Sequence, residues 1–243
     1  MKSVRHTLRI FGLNAASVKN ILRNEMPEFD KVDIRVIPGD GDVVLQIAAC
    51  ENTFPSVVKA VVECFPKRVY GMDVPNLQTA LVRALMDRKL RIATAESFTG
   101  GMISSSITDV PGASEVFECG ICSYSERIKH EVLGVSESAL VQSGVVSPET
   151  AREMAERVRE FAGASIGIGT TGIAGPGGGS ALLPAGTGYI GIAGPTETKV
   201  YLLRLSPPAT DQRHWIRKTV TKYALFHALA TATEWRFLDA QLR

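Results

Sequence analysis

Apolar and polar positions change their rhythm near residue 70. Before it, alternation with period two marks strands over Thr7–Phe11, Val32–Ile37 and Val43–Ala48. The last two are joined across Pro38-Gly-Asp-Gly-Asp42, a strong hairpin signal. Helical spacing covers Ala15–Met26 and Ser56–Cys64, so the segment predicts β-α-β-β-α. Val69–Pro75 carries two breakers, Gly71 and Pro75, and reads as a linker between a small α+β domain over 1–70 and a larger domain over 74–243.

The larger segment opens on a helical stripe, Leu77, Ala80, Leu81, Ala84 and Leu85. Strands are predicted over Leu90–Ala95, Val116–Tyr124, Ala164–Gly169, Gly188–Ala193 and Lys199–Leu205. Helices are predicted over Thr99–Thr108, Glu126–Leu133, Glu149–Phe161 (entered through Pro148) and Asp211–Leu238. Strands alternating with helices give an α/β three-layer sandwich. No apolar run is long enough for a signal peptide or a membrane span, so a soluble cytoplasmic protein is expected.

Composition changes little in this picture. Of 243 residues, 45% are hydrophobic and 21% charged, which permits an ordinary core. The net charge of +2 is scattered, which argues against a nucleic-acid or acidic-lipid surface. Cys119 and Cys122 have chelating spacing, but residues three apart on a strand face opposite ways. With no second Cys or His pair to complete a zinc set, they are expected to be buried core cysteines, and no metal site is expected.

Four segments can carry chemistry. In Ala95-Glu-Ser-Phe-Thr-Gly-Gly101, Ser97 falls at a strand-to-helix junction, where it is either a nucleophile beside free N–H groups or an N-cap. Gly100 and Gly101 permit close approach of a ligand or backbone. In Tyr124-Ser-Glu-Arg-Ile-Lys129, Lys129 is either a surface lysine or a desolvated base, the latter because no histidine lies near a glycine-rich turn. Gly167-Ile-Gly-Thr-Thr-Gly172 matches a dinucleotide fingerprint literally. Pro176 and a glycine run follow it, however, and residues 187–193 hold no acid, so that reading fails. What remains is either a structural turn or an N–H-rich loop for an anion or oxyanion. Arg213 and Arg217, four apart, share a helix face that is either merely exposed or able to bind a phosphate.

Together the segments TAESFTGG, TDVPGAS, CSYSERIK and TTGIAGPGGG, with the arginines after Asp211, resemble the CinA C-terminal family, the nicotinamide-nucleotide amidases, over about 160 residues. The resemblance implies deamidation of nicotinamide mononucleotide to nicotinate mononucleotide and ammonia, with no metal or cofactor. It implies Ser97 as nucleophile, Lys129 and Tyr124 as proton-handling residues, and a mixed sheet between helix layers, often in a homodimer. Ser114 and Thr171 match further site positions of the family, and Arg213 a substrate-contacting one; Gly100 and Gly172 complete the expected substrate-binding set. The expected partner is a small pyridine nucleotide, with no nucleic acid and no membrane. Residues 1–70 resemble the KH-like domain that precedes this module, without a Gly-x-x-Gly clamp for nucleic acid. The molybdopterin-biosynthesis-like domain that usually comes first has no counterpart here, so its pyrophosphatase activity is not expected. Phe98 stands where the family usually has cysteine, and Leu183 where it often has lysine. Those departures and the missing first domain leave a catalytically silent nucleotide-binding or scaffolding protein as the alternative.

Overall fold

The structure is a computed structural model that describes residues 3–236. Contacts group the chain into two compact units, one reaching Ala80 and taking in Thr233 onward, the other Leu81–Ala232.

The first unit comprises β1 (Ser3–Phe11), α1 (Ala15–Glu25), β2 (Asp33–Pro38), β3 (Asp42–Cys50), α2 (Phe54–Cys64) and β4 (Val69–Met72). Its antiparallel sheet has the order β2-β3-β1-β4. The alternating residues Leu8, Ile10, Val43, Leu45 and Ile47 pack against Val18, Leu22, Val58 and Val61 of the two helices. β4 occupies most of the stretch expected as a linker. Gly71 acts there as a close-approach residue and not as a breaker: it pairs with Arg9, and a Cβ on it would lie 2.5 Å from the Val74 side chain. Tyr70 and Arg9 fix the strand by donating to one oxygen of Asp42, at 2.5 and 2.6 Å.

The second unit is entered through α3 (Leu77–Arg88) and continues with β5 (Ile92–Glu96), α4 (Met102–Thr108), β6 (Phe117–Cys122), α5 (Glu126–Glu131), α6 (Pro148–Ala162), β7 (Ile166–Gly172), β8 (Thr187–Ala193), β9 (Thr198–Arg204) and α7 (Gln212–Thr233). The five-stranded sheet has the order β6-β5-β7-β8-β9, the first three parallel and the last two antiparallel. This is the mixed sheet between helices that the α/β sandwich reading calls for. The predicted final helix was longer; Glu234 and Trp235 turn left-handed and end it, while Leu238 lies outside the described residues. Among the described residues no helix is long and apolar enough to cross a membrane.

The expectation of buried cysteines fails. All four are free, Cys119 is half-buried and Cys122 exposed, because β6 is the outermost strand of its sheet.

The glycines that imitate a dinucleotide fingerprint are packing residues. A Cβ on Gly167 would lie 2.1 Å from the Ala155 carbonyl oxygen of α6, and one on Gly169 would lie 2.4 Å from the Ala155 nitrogen. Gly191 of β8 meets the Ala151 carbonyl oxygen at 2.2 Å in the same sense. Helix and sheet therefore touch backbone to backbone, and no side chain fits between them. Gly169→Ala should destabilise the protein by about 1–3 kcal/mol through overpacking. Gly177→Ala, with nothing within 4 Å of the added carbon, should stay within about 0.5 kcal/mol. Urea unfolding of both variants checks the contrast.

Candidate active site

The chemistry gathers where the parallel strands end. β5 hands the chain to Ser97, β6 to Ser123 and Tyr124, and the neighbouring β7 closes with Thr170–Gly172. Because β5 pairs in parallel with both neighbours, these three C-terminal ends lie along one edge of the sheet. That edge is where open α/β sheets place their ligands.

Lys129 comes from α5, whose N-terminus is capped by the Ser125 side chain accepting from the Ile128 N–H. Helical side chains lean back towards the N-terminus, which brings Lys129 Nζ over the residues just before its own helix. There Nζ donates to the carbonyl oxygens of Ser123 at 2.8 Å and Tyr124 at 3.2 Å, and lies 2.9 Å from Ser97 Oγ. Lys129 is fully buried, and Ser97 retains 8% exposure. Desolvation pulls the lysine down to about 8, with the Glu126 charge opposing the shift. As an ammonium Lys129 donates to all three oxygens; in its neutral form two N–H groups can satisfy the carbonyls, which leaves the lone pair for the serine hydroxyl.

The segment after Ser97 is not the first turn of a helix. α4 begins only at Met102, with Gly101 as its left-handed N-cap residue. Its opening N–H groups are taken by Glu96: one carboxylate oxygen accepts from the Gly101 and Ile103 nitrogens, the other from the Ser104 nitrogen and hydroxyl, at 2.7–3.1 Å. Ser97 is thus not an N-cap, and the helix dipole is spent on Glu96. Ser97–Gly101 is a loop held from several sides. Ser97 N–H donates to the Thr170 carbonyl oxygen at 3.1 Å, and the hydroxyls of Thr99 and Thr170 are 2.9 Å apart. Arg217 donates to the carbonyl oxygens of Phe98 and Thr99 at 3.0 and 2.8 Å. Gly100, with φ +60°, has its missing Cβ position 3.0 Å from the Arg217 guanidinium, so the glycine admits the arginine and not a ligand.

The other expected site residues fall out as follows. Tyr124 is 60% exposed; its backbone touches Lys129, while its hydroxyl accepts from Arg213 at 2.9 Å. Arg213 also donates to the Gly175 carbonyl oxygen at 3.0 Å, so it joins the glycine-rich loop to the β6 end. Arg213 and Arg217 therefore part company, one to a loop and a tyrosine, the other to the segment after Ser97. Thr171 is buried and its hydroxyl donates to the Val145 carbonyl oxygen at 2.6 Å. Ser114 is exposed in a short 3-10 turn over Ala113–Glu115. Gly172 lies under Phe98: a Cβ there would be 2.6 Å from the ring. Sequence reasoning did not assign Glu96 or the carbonyl of Ser123 a part. The one available signal was a carboxylate ending the otherwise uncharged strand Ile92-Ala-Thr-Ala-Glu96.

The fold and this edge define an α/β protein with a buried serine–lysine pair at the ends of parallel strands. The model of the CinA C-terminal domain matches residues 75–232. A competence-damage inducible protein of Caldanaerobacter subterraneus is 42% identical over 205 residues, covering 82% of this chain and 50% of its own length. A CinA-like protein of Kosmotoga olearia is 35% identical over 225 residues, with 90% and 54% covered. Among solved structures, the competence/damage inducible protein CihA of Agrobacterium tumefaciens superposes with TM-score 0.59 at 31% identity, over 64% of this chain and 94% of that one. A CinA superfamily protein of Klebsiella pneumoniae gives 0.61 at 27% identity, over 65% and 97%. The chain belongs to the CinA family, and it spans about half the length of the curated relatives it matches.

Phe98 is 4% exposed and its ring lies over Gly172 and Gly188, the latter leaving only 2.8 Å to an added Cβ. Phe98→Cys should cost about 2–5 kcal/mol, the range for a buried side chain cut short. Gly188→Ala should destabilise the wild type yet cost little beside Phe98→Cys, because the Phe98 ring supplies every close contact to the new methyl group. A double-mutant unfolding cycle reads the coupling; losses that simply add would contradict the packing.

Proposed function

We propose that this chain is an amidohydrolase that deamidates a pyridine carboxamide nucleotide, nicotinamide mononucleotide to nicotinate mononucleotide and ammonia, through a Ser97–Lys129 pair. One observation carries the proposal: a fully buried lysine amine, 2.9 Å from a serine hydroxyl at the strand ends, with its remaining hydrogens directed to two backbone carbonyls. Such a lysine is costly to keep unless its neutral form has work to do.

In the proposed reaction, neutral Lys129 takes the Ser97 proton as Oγ attacks the carboxamide carbon. The carbonyl oxygen becomes an oxyanion. The Phe98 N–H follows the nucleophile directly and makes no hydrogen bond among the described residues, which makes it the nearest backbone donor for that charge. Collapse breaks the C–N bond as Lys129 returns the proton to the leaving nitrogen, giving ammonia and a Ser97 ester. Water then attacks the ester, again losing its proton to Lys129, and nicotinate mononucleotide leaves as Ser97 is reprotonated. Arg213 uses two of its five N–H donors on Tyr124 and Gly175. The other three suit the nucleotide phosphate.

Ammonia release from a panel of pyridine nucleotides tests the substrate. Ser97→Ala should abolish turnover while calorimetric nucleotide binding persists. Lys129→Ala should lose about 10²–10⁴-fold, and the double variant should be little worse than the worse single one. Lys129→Arg should also fail, since a guanidinium stays protonated. Single-variant losses that multiply would reduce Lys129 to a binding residue.

The acid–base behaviour sets a pH profile. Lys129 must be neutral to act, so kcat/KM should rise with pH and level off above about 8. Stability follows the same group. The folded value lies below the ordinary lysine value of 10.5, so the unfolded chain binds more protons between about 8 and 10.5 and stability gains from Lys129 as pH rises through that window. Lys129→Met should therefore be more stable than wild type below pH 8, with the advantage shrinking towards 10.5. A stability difference independent of pH would show that the lysine is not desolvated.

A further inference from the structure

Resting on the serine–lysine reading above, we infer that Arg217 is a positioning residue that orients and polarises the oxyanion-binding N–H of Phe98 through a line of two peptide units.

The line can be followed atom by atom. Arg217 Nη2 donates to the Thr99 carbonyl oxygen at 2.8 Å, and Nε to the Phe98 carbonyl oxygen at 3.0 Å. The amide sharing the Thr99 carbonyl is the Gly100 N–H, which in a planar trans peptide points the opposite way. It donates to the Ser97 carbonyl oxygen at 3.0 Å. The amide sharing the Ser97 carbonyl is the Phe98 N–H, which points away again and has no partner among the described residues. Two aligned peptides thus connect a fixed positive charge to the donor next to the nucleophile.

Each accepted hydrogen bond polarises its peptide and strengthens the N–H on the far side, so a chain of them is cooperative. The head of this chain is a half-buried guanidinium that makes no ion pair among the described residues. Gly100 is part of the device. With φ +60° and no Cβ, it turns the chain left-handed just after the amide that donates to Ser97, and it leaves room for the guanidinium 3.0 Å from the missing carbon. Lysine cannot replace Arg217 here, because one ammonium lacks the planar fork that meets two adjacent carbonyls.

The test uses the full chain and two readouts: ammonia release from nicotinamide mononucleotide, and the rate at which a fluorophosphonate labels Ser97, followed by mass spectrometry. The probe also places a developing negative oxygen beside the nucleophile but does not depend on the amide being the right one. Removal of a direct oxyanion donor costs about 10²–10³-fold. For a residue acting through that donor, Arg217→Lys should lower kcat about ten- to a hundredfold with KM within about threefold, and slow labelling by a similar factor. Arg217→Ala should behave likewise and recover rate when guanidinium ion is added at millimolar concentration. A merely structural arginine would lower the melting temperature while leaving both rates per folded molecule unchanged, and that outcome overturns the inference.

Should both variants fail to fold, the wild type decides. In protein labelled with ¹⁵N-phenylalanine, which has nine such residues, the Phe98 amide proton should move downfield when Ser97 is phosphonylated. An unmoved Phe98 amide overturns the inference. Wild-type protein that labels at Ser97 but releases no ammonia from any pyridine nucleotide would sink the substrate proposal and leave the relay to be judged on labelling rates. Wild-type protein that does not label at all sinks the relay.

Discussion

A buried amine without a counter-ion in contact is the constraint around which the second unit is arranged. Among the described residues Lys129 meets no carboxylate; it points to two carbonyls from the chain just ahead of its helix and to Ser97. Carbonyl dipoles stabilise an ammonium far less than a carboxylate would, so burial wins and the amine falls to about 8. A carboxylate in that place would have returned the lysine to a permanently charged state. The charge of Glu126, on the first turn of the same helix, opposes the shift without cancelling it.

The other charged groups of the site act on the backbone. Glu96 spends its carboxylate on the opening nitrogens of α4 and on Ser104, and Arg217 spends its guanidinium on two carbonyls of the Ser97 loop. Anion and cation thus brace Ser97–Gly101 from its N–H and C=O sides respectively. A loop with two consecutive left-handed glycines would otherwise have many conformations. Its order comes from this bracing and not from helix propensity.

This division explains what the sequence could reveal. Strand alternation and helical stripes exposed the sandwich, because they report which face is buried. The resemblance carried by CSYSERIK and TAESFTGG picked out Ser97 and Lys129, whose meeting across 32 residues is a product of parallel strand order and cannot be seen in spacing. The helix start at Thr99 was misjudged, because nothing in a periodic pattern shows that Glu96 will reach eight residues forward to cap at Ser104. The arginine pair was misjudged for a related reason: helical spacing places two side chains on one face but does not say that their ends diverge. Gly71 was read as a breaker for want of knowing that Val74 folds over it. In each case the deciding contact is between groups whose partnership only the folded chain creates.

The seam between α6 and the strands β7 and β8 has a meaning beyond packing. Ordinary cores adapt to mutation because side chains of different volume can trade places, and the elements they separate drift by fractions of an ångström as they do. At Gly167, Gly169 and Gly191 there is nothing to trade, since main chain rests on main chain. The spacing between this helix and the sheet is therefore a fixed gauge, independent of the composition of the surrounding core. Thr170, whose carbonyl holds the Ser97 amide, lies on the strand set by that gauge. The rest of the interior can thus change in volume while Ser97 keeps its height above the sheet.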